Sequence, residues 1–274
     1  MSTVLIIGGT GKVGSRLAQI LVRQGHVARV ASRTGGDVRF DWRESATYAA
    51  ALERVSGVFI VGPGSAADWS ESLRDLLEVA GSKGVSHAVF LSARGVEFLP
   101  DGAVARAESA LTAGPIPWTI LRPTHFAQNF TEAMFVPVGG TIVAPVGDGA
   151  EPFIDAEDIA QVAAAVLTSD DWRDEIIELS GPSALTFDEA VAILGERVDR
   201  TFRFVDELPE VHAARLRRLQ TPEGYIEWRL AMLGGIHRGA DAYLSDGVLR
   251  VLGRPATSFS DWAEREASVL AEAA

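Results

Sequence analysis

The 274-residue chain reads as an α/β protein: a doubly wound, parallel Rossmann sheet followed by a small, mostly helical C-terminal cap that binds substrate. Three observations predict this. Short apolar runs alternate with amphipathic segments through the first two thirds, the order that builds a parallel sheet covered by helices on both faces. A glycine-rich turn, GGTGKVG, follows the first apolar run directly, where a Rossmann unit turns from strand to helix. After Gly181-Pro182 the alternation stops and charged, helix-like segments take over. Residues 1–182 are therefore expected to form the Rossmann domain and 183–274 the cap, together one compact unit.

Buried parallel strands read as unbroken apolar runs, and residues 4–7, 27–31, 58–61, 88–91 and 118–121 qualify. Between them, 13–23, 45–54, 69–83 and 104–112 carry the three-and-four spacing of amphipathic helices. A helix over 158–167, entered through acidic residues suited to a helix N-terminus, leads to a strand over 175–179. Asp155 and Asp158, three apart at that entrance, read as caps rather than a catalytic acid pair. In the cap, helices are expected over 187–198, 208–219, 222–233 and 259–271.

Composition excludes several function classes. A net charge of −12 argues against nucleic acid or an anionic membrane as partner, since phosphate backbones are bound by clustered Lys and Arg. The absence of cysteine removes thiolate catalysis, disulfides and cysteine metal sites. The five histidines show no metal-ligand spacing, so no metal is expected. The opening run TVLII is too short for a membrane span and lacks the flanks of a signal peptide. The expected setting is cytoplasmic, and a homodimer is compatible with the sequence.

The glycine loop carries the strongest chemical signal. Gly8 permits the tight turn, Gly11 lets backbone approach a pyrophosphate, and Gly14 allows close helix–strand packing. The helix that begins there offers free N–H groups to phosphates, so Thr10, Lys12 and Val13 are expected at the cofactor too. The second strand ends VASRTGG. A carboxylate there would hold a free ribose 2′-OH, whereas an arginine suits a 2′-phosphate. Ser32 and Arg33, with no carboxylate before Asp37, therefore point to NADP(H), and Lys12 offers a second cation for the same phosphate. Asp41-Trp42, following a short third strand, and Gly62-Pro63, following a fourth over 58–61, are expected to border the adenine and ribose, which makes 88–91 the fifth strand and 118–121 the sixth.

Reduction of a carbonyl by hydride needs an acid for the oxygen, commonly a tyrosine whose pKa is lowered by a lysine one helical turn later. Here the lysines are Lys12 and Lys83, and the residues four before them are Gly8 and Val79. No such pair exists, and the stretch GAVARAESALTAG at 102–114 reads as a packing helix with Arg106 and Glu108 outward. Ser92, ending the fifth strand, and the loop Arg122-Pro123-Thr124-His125-Phe126 after the sixth remain as active-site candidates. Ser92 and His125 are the candidate catalytic groups, Ser92 and Pro123 also bordering the cofactor. His125 is the one able to act as an acid near neutral pH.

GGTGKVG, SRTGG, RFDW, LSARG, PWTILRPTHFAQNF, GDG…FIDAEDIA and VLGRPATSFSDWAERE together resemble the NmrA-like branch of the atypical short-chain dehydrogenases, and within it the ergot-alkaloid agroclavine and festuclavine dehydrogenases and their bacterial relatives. The resemblance implies an NADPH-dependent reductase of an imine or iminium. An iminium carbon accepts hydride without any added proton, so catalysis there is mostly positioning. Substrate walls would come from His125, Phe126, Asn129, Phe130, Phe153, Tyr225 and Trp228, suited to a small cyclic or aromatic molecule. The same branch implies one alternative, a non-catalytic NADP(H)-responsive regulator; a reductase of quinones, which also need little proton help from the protein, is another.

Overall fold

A computed structural model describes residues 1–64 and 67–272. The chain runs β1 (Thr3–Ile7), α1 (Lys12–Arg23), β2 (Val27–Ser32), β3 (Val38–Arg39), α2 (Tyr48–Ala51), β4 (Gly57–Ile60), α3 (Ser70–Ser82), β5 (His87–Leu91), α4 (Ala103–Thr112) and β6 (Trp118–Pro123). It continues through α5 (Asn129–Glu132), β7 (Thr141–Ala144), β8 (Ala150–Glu151), α6 (Ala156–Leu167), β9 (Glu175–Leu179), β10 (Leu185–Thr186), α7 (Phe187–Val198) and β11 (Arg203–Asp206). The last elements are α8 (Pro209–Arg218), α9 (Glu223–His237), α10 (Gly247–Leu252), α11 (Phe259–Arg265) and α12 (Ala267–Glu272).

Seven parallel strands form one sheet in the order β3-β2-β1-β4-β5-β6-β9. The order reverses between β1 and β4, and ligands of open α/β sheets bind at the carboxyl ends beside such a switch point. One face buries Leu5, Val58 and Phe90 against α2, α3 and α4. The other buries Val4, Ile6 and Phe59 against α1 and α6, whose Ala160, Ala163 and Ala164 pack into that layer. Strands buried on both faces need apolar residues at successive positions, which is why TVLII and HAVFL read as strands.

The cap differs from the helical expectation. Between its helices lie two small sheets, β7 with β11 in parallel and β8 with β10 antiparallel, so strand pairing joins segments on either side of residue 182. A third apolar cluster, built on Phe130, Phe135, Phe153, Phe187, Phe259 and Trp262, fills this region. Two acids pin it to the sheet. Asp155 caps α6 by accepting from Glu157 N at 3.0 Å and pairs with Arg265 at 2.7 Å. Asp158 takes Arg254 at 2.6 Å and Thr257 N at 2.6 Å. Both acids are structural.

The expected helix over 45–54 is a short 3-10 turn at Ser45–Thr47 followed by α2, closed before Arg54 adopts φ 57°. The last expected helix is broken at Glu266 into α11 and α12. Among the described residues no helix is long and apolar enough to cross a membrane.

Candidate functional site

The carboxyl ends of the central strands open onto a trough of three adjoining cavities of about 470, 170 and 200 Å³. The first holds Gly8, Thr10, Ser32, Arg33, Asp41, Trp42, Gly62 and Pro63 in its walls. The second shares Gly62 and Trp69 with the first, and Ser92 and Trp228 with the third. The trough therefore runs from the end of β2, over β1 and β4, to the end of β6.

The glycine loop is built for close backbone approach. Gly8 sits at φ +81°, a conformation that favours glycine. A Cβ on Gly14 would lie 2.4 Å from the Gly8 carbonyl oxygen and 2.8 Å from Gly9 Cα, so no other residue lets α1 start this near the strand. Gly11 caps α1 without a side chain, and the first turn of the helix contains no acid. Its leading N–H groups and partial positive charge are thus left to an external anion. Val13, expected at the cofactor, turns its side chain into the α1–α6 core at 2% exposure; its place in that first turn is what bears on the cofactor.

At the far end of the first cavity stand two arginines, Arg33 and Arg43. Lys12, expected beside the same phosphate as Arg33, lines the third cavity instead. Asp37, the nearest carboxylate after β2, is occupied in accepting from Val30 N at 2.8 Å. Asp41 accepts from Arg43 N at 3.0 Å. Trp42 and Trp69 lie 4.9 Å apart between rings, and Gly62 is tight because Trp69 presses on it: a Cβ there would meet the indole at 2.4 Å. A glycine cradle, a helix N-terminus without an acid, a flat aromatic wall and two cations together fit a phosphorylated dinucleotide.

The third cavity gathers Ser92, Pro123, His125, Phe126, Asn129 and Trp228, and its wall also includes Lys12, Arg94, Met134 and Met232. Three expected substrate residues are not brought there. Phe130 and Phe153, at 0% and 1% exposure, lie inside the aromatic core of the cap with rings 5.0 Å apart. Tyr225 packs beside Trp228 at 5.7 Å and is absent from the trough's walls. The physical reason is that the loop after β6 re-enters the protein at Phe130, and an aromatic cluster satisfies those rings better than an open pocket would.

Two networks under this cavity decide its chemistry. In the first, Ser92 Oγ donates to Glu108 Oε1, and Glu108 also receives Arg122 Nε at 3.0 Å and Nη2 at 2.5 Å. The hydrogen bond to Glu108 holds the Arg122 guanidinium above its usual range. Glu108, expected on the outer face of α4, is therefore buried at 7% exposure. Arg106 does face solvent, pairing with Asp68 at 3.2 Å. In the second network, His125 Nδ1 lies 3.0 Å from Glu151 Oε1, which also accepts from His125 N at 2.8 Å. Burial disfavours the charged imidazole, but the charge and hydrogen bond of Glu151 outweigh it, and the net displacement is upward. Asp241 completes this group, its ligand atom within 4.8 Å of the other two.

Sequence reasoning missed Arg43, Trp69, Glu108, Glu151 and Asp241. For Glu108 a signal was available: Val104, Ala107, Glu108 and Leu111 sit at i, i+3, i+4 and i+7, so a carboxylate occupies the buried stripe of its helix. Glu151 and Asp241 are far apart in sequence and carried no local signal.

Residues 8–170 match the family model described as NAD(P)H-binding. Over 97% of this chain and 95% of that protein, it is 32% identical to an oxidoreductase of Bacillus subtilis, YesF. It is 29% identical to festuclavine dehydrogenase of Aspergillus fumigatus, over 96% of this chain and 97% of that protein. Among solved structures, an NADPH-dependent quinone oxidoreductase of Escherichia coli complexed with NADPH superposes with a TM-score of 0.79 at 20% identity, covering 96% of this chain and 99% of that one. At that identity the likeness is one of fold.

Proposed function

We propose, from the premise that the chain belongs to the NAD(P)H-binding family in its NmrA-like branch, that it is an NADPH-dependent reductase passing hydride to the carbon of a small, planar C=N substrate. Oxidoreductase activity is the coarser reading that the relatives support. The C=N acceptor is the finer one. One observation carries it: Ser92, at the mouth of the acceptor cavity, gives its single hydroxyl proton to Glu108. Neither a Tyr–Lys pair nor a free serine proton is left for an alkoxide, and the near-neutral acid that the cavity does hold, His125, suits an imine nitrogen better than an alkoxide. An acceptor that is already an electron-poor iminium makes no such demand. The name of the festuclavine dehydrogenase relative is consistent with that class.

The dihydronicotinamide, when bound, supplies hydride. The chain's part is placement. Gly8, Gly11 and the first turn of α1 hold phosphates, Trp69 and Gly62 flank the passage between cavities, and Trp228 and Phe126 offer flat walls to the acceptor. Holding two planar groups face to face in a near-attack arrangement can account for as much as about 7 to 11 kcal/mol of barrier lowering.

Assays of NADPH oxidation against cyclic iminiums and quinones test the reading. Amine formed in equal amount to NADPH consumed supports it. Turnover of quinones alone overturns the acceptor class, and tight NADPH binding with no turnover on either panel supports a regulator instead.

Cofactor preference makes a separate test. One charged hydrogen bond to a phosphate contributes about 1.5 to 3 kcal/mol. Arg33→Ala is therefore expected to weaken NADPH binding roughly ten- to a hundredfold, with Arg43→Ala in the same direction. NADH, lacking the 2′-phosphate, should lose much less in calorimetric titration. Equal losses for both dinucleotides would remove these arginines from the 2′-phosphate.

A further inference from the structure

We propose that His125, Glu151 and Asp241 form a proton-delivery unit, so that the acceptor cavity takes a neutral imine and protonates its nitrogen to the iminium before hydride arrives. This rests on the C=N reading above and narrows it to imines that can be protonated.

Three separate parts of the chain bring the groups together: the loop after β6, strand β8 and the turn after α9. One ring nitrogen of His125 and one carboxylate oxygen each of Glu151 and Asp241 lie within 4.8 Å of one another. Glu151 Oε1 holds His125 twice, through its backbone N at 2.8 Å and its ring Nδ1 at 3.0 Å. With Nδ1 engaged, the nitrogen left to the cavity that His125 lines is Nε2. Behind the ring, Glu151 Oε2 and Asp241 Oδ1 are buried and have no hydrogen-bond partner. A buried carboxyl oxygen without a partner is expensive. Two of them beside one imidazole fit a group whose protons are meant to move.

Charge around the cluster keeps it loaded. Burial first, and the charge of Glu151 second, push Asp241 up to about 7, so this carboxyl is neutral below that pH and ionises above it. Among the other facing groups, Glu97, in the short turn after β5, favours the protonated carboxyl, while Arg94 opposes it. Arg229 on α9 opposes protonation of His125. Arg94 is partly occupied elsewhere, donating to the Tyr243 carbonyl at 2.7 Å and lying over its ring at 4.1 Å. Two arginines facing the cluster disfavour a divalent cation there, and protons are the smaller guest.

The step balances. The Nε2–H bond of the imidazolium breaks, the imine nitrogen lone pair forms the new N–H bond, and carbon becomes electrophilic. Hydride from the bound dihydronicotinamide adds with its two electrons, the cofactor is oxidised, and a neutral amine leaves. Glu151 keeps the Nδ1–H bond throughout, and once the amine has left, Nε2 regains its proton from solvent through the cavity that His125 lines.

The test compares 3,4-dihydroisoquinoline, which can be protonated, with its N-methyl iminium, which cannot. General acid catalysis is worth about 10² to 10⁴ in rate. The ratio of imine to iminium kcat/KM is therefore expected to fall roughly a hundredfold in His125→Gln. In Asp241→Asn, the alkaline limb of the imine pH profile should move to lower pH. Independently of turnover, the His125 ring should titrate by NMR above the ordinary histidine value in the cofactor-free protein, and lower in Asp241→Asn. A ratio unchanged in both variants, with both substrates reduced, overturns proton delivery alone. So does a His125 midpoint indifferent to Asp241→Asn, or a requirement for zinc that a chelator abolishes. Failure to reduce either substrate overturns the C=N reading itself, while the ring titration still reports whether the cluster shares protons.

Discussion

A Gly14→Ala chain should bind NADPH roughly ten- to a hundredfold more weakly than its parent and melt at lower temperature. The new methyl group would stand 2.4 Å from the Gly8 carbonyl oxygen and 2.8 Å from Gly9 Cα. Both are backbone atoms of the turn itself, so no side chain can swing aside, and α1 must retreat from the sheet. Overpacking of this kind costs about 1 to 3 kcal/mol, and for a chain of this size each kcal/mol lowers Tm by roughly 2 to 4 °C. The larger loss is in binding, because the first turn of α1 is the part that meets the phosphates, and one lost hydrogen bond to a charged group costs about 1.5 to 3 kcal/mol. Gly11→Ala separates the two effects. Its Cβ would meet only the Gly8 oxygen at 3.3 Å, so stability should change little while the methyl group intrudes on the pyrophosphate. Calorimetric titration beside thermal denaturation reads both. A Gly14→Ala protein that keeps full affinity would remove the glycine cradle from the cofactor.

The parts of the fold that were legible are those where one physical demand acts on consecutive residues. Strands buried on both faces need unbroken apolar runs, and β1, β2, β4, β5, β6 and β9 lie within two residues of the expected bounds. Gly8, Gly11 and Gly14 were legible because their spacing answers to backbone geometry rather than to a partner. The small strands were not: Leu185–Thr186 and Ala150–Glu151 are two residues each, and what makes them strands is each other. The cap's Phe130 and Phe153 were placed at the pocket wall because the loop after β6 had to pass over the nicotinamide. That loop does deliver His125, Phe126 and Asn129 to the cavity, and then dives into the core. The charge networks were the least legible part. A lone carboxylate on a helix is ordinarily a solvated one, and its partner across the sheet cannot be named from spacing.

Glu108→Ala should destabilise the protein by about 3 to 5 kcal/mol, the range for removing one partner of a buried ion pair, and so lower Tm by roughly 10 °C. The stretch that looked like an unremarkable packing helix thereby acquires its heaviest single side chain. Glu108 satisfies three donors at once, the Ser92 hydroxyl and two nitrogens of Arg122. Arg122 is 21% exposed in its side chain and Glu108 9%, so neither water nor a neighbour readily replaces the lost carboxylate. Two other acids act on Arg122, Glu97 and Glu178, of which Glu178 stands opposite it in the register of β6 and β9. Glu178 already accepts from Tyr243 at 2.9 Å and lies 3.9 Å from Arg94. Glu108→Gln keeps the shape but turns an amide N–H₂ toward one of the guanidinium donors, and should lose nearly as much. Removing both charges, as in Glu108→Leu with Arg122→Met, should restore most of the stability, since an apolar pair of similar volume leaves no charge unpaired and only the Ser92 hydroxyl without its acceptor. A double-mutant cycle in denaturant measures the coupling directly. A coupling below about 0.5 kcal/mol, the size expected of independent sites, would mean that the pair is no more than a surface contact.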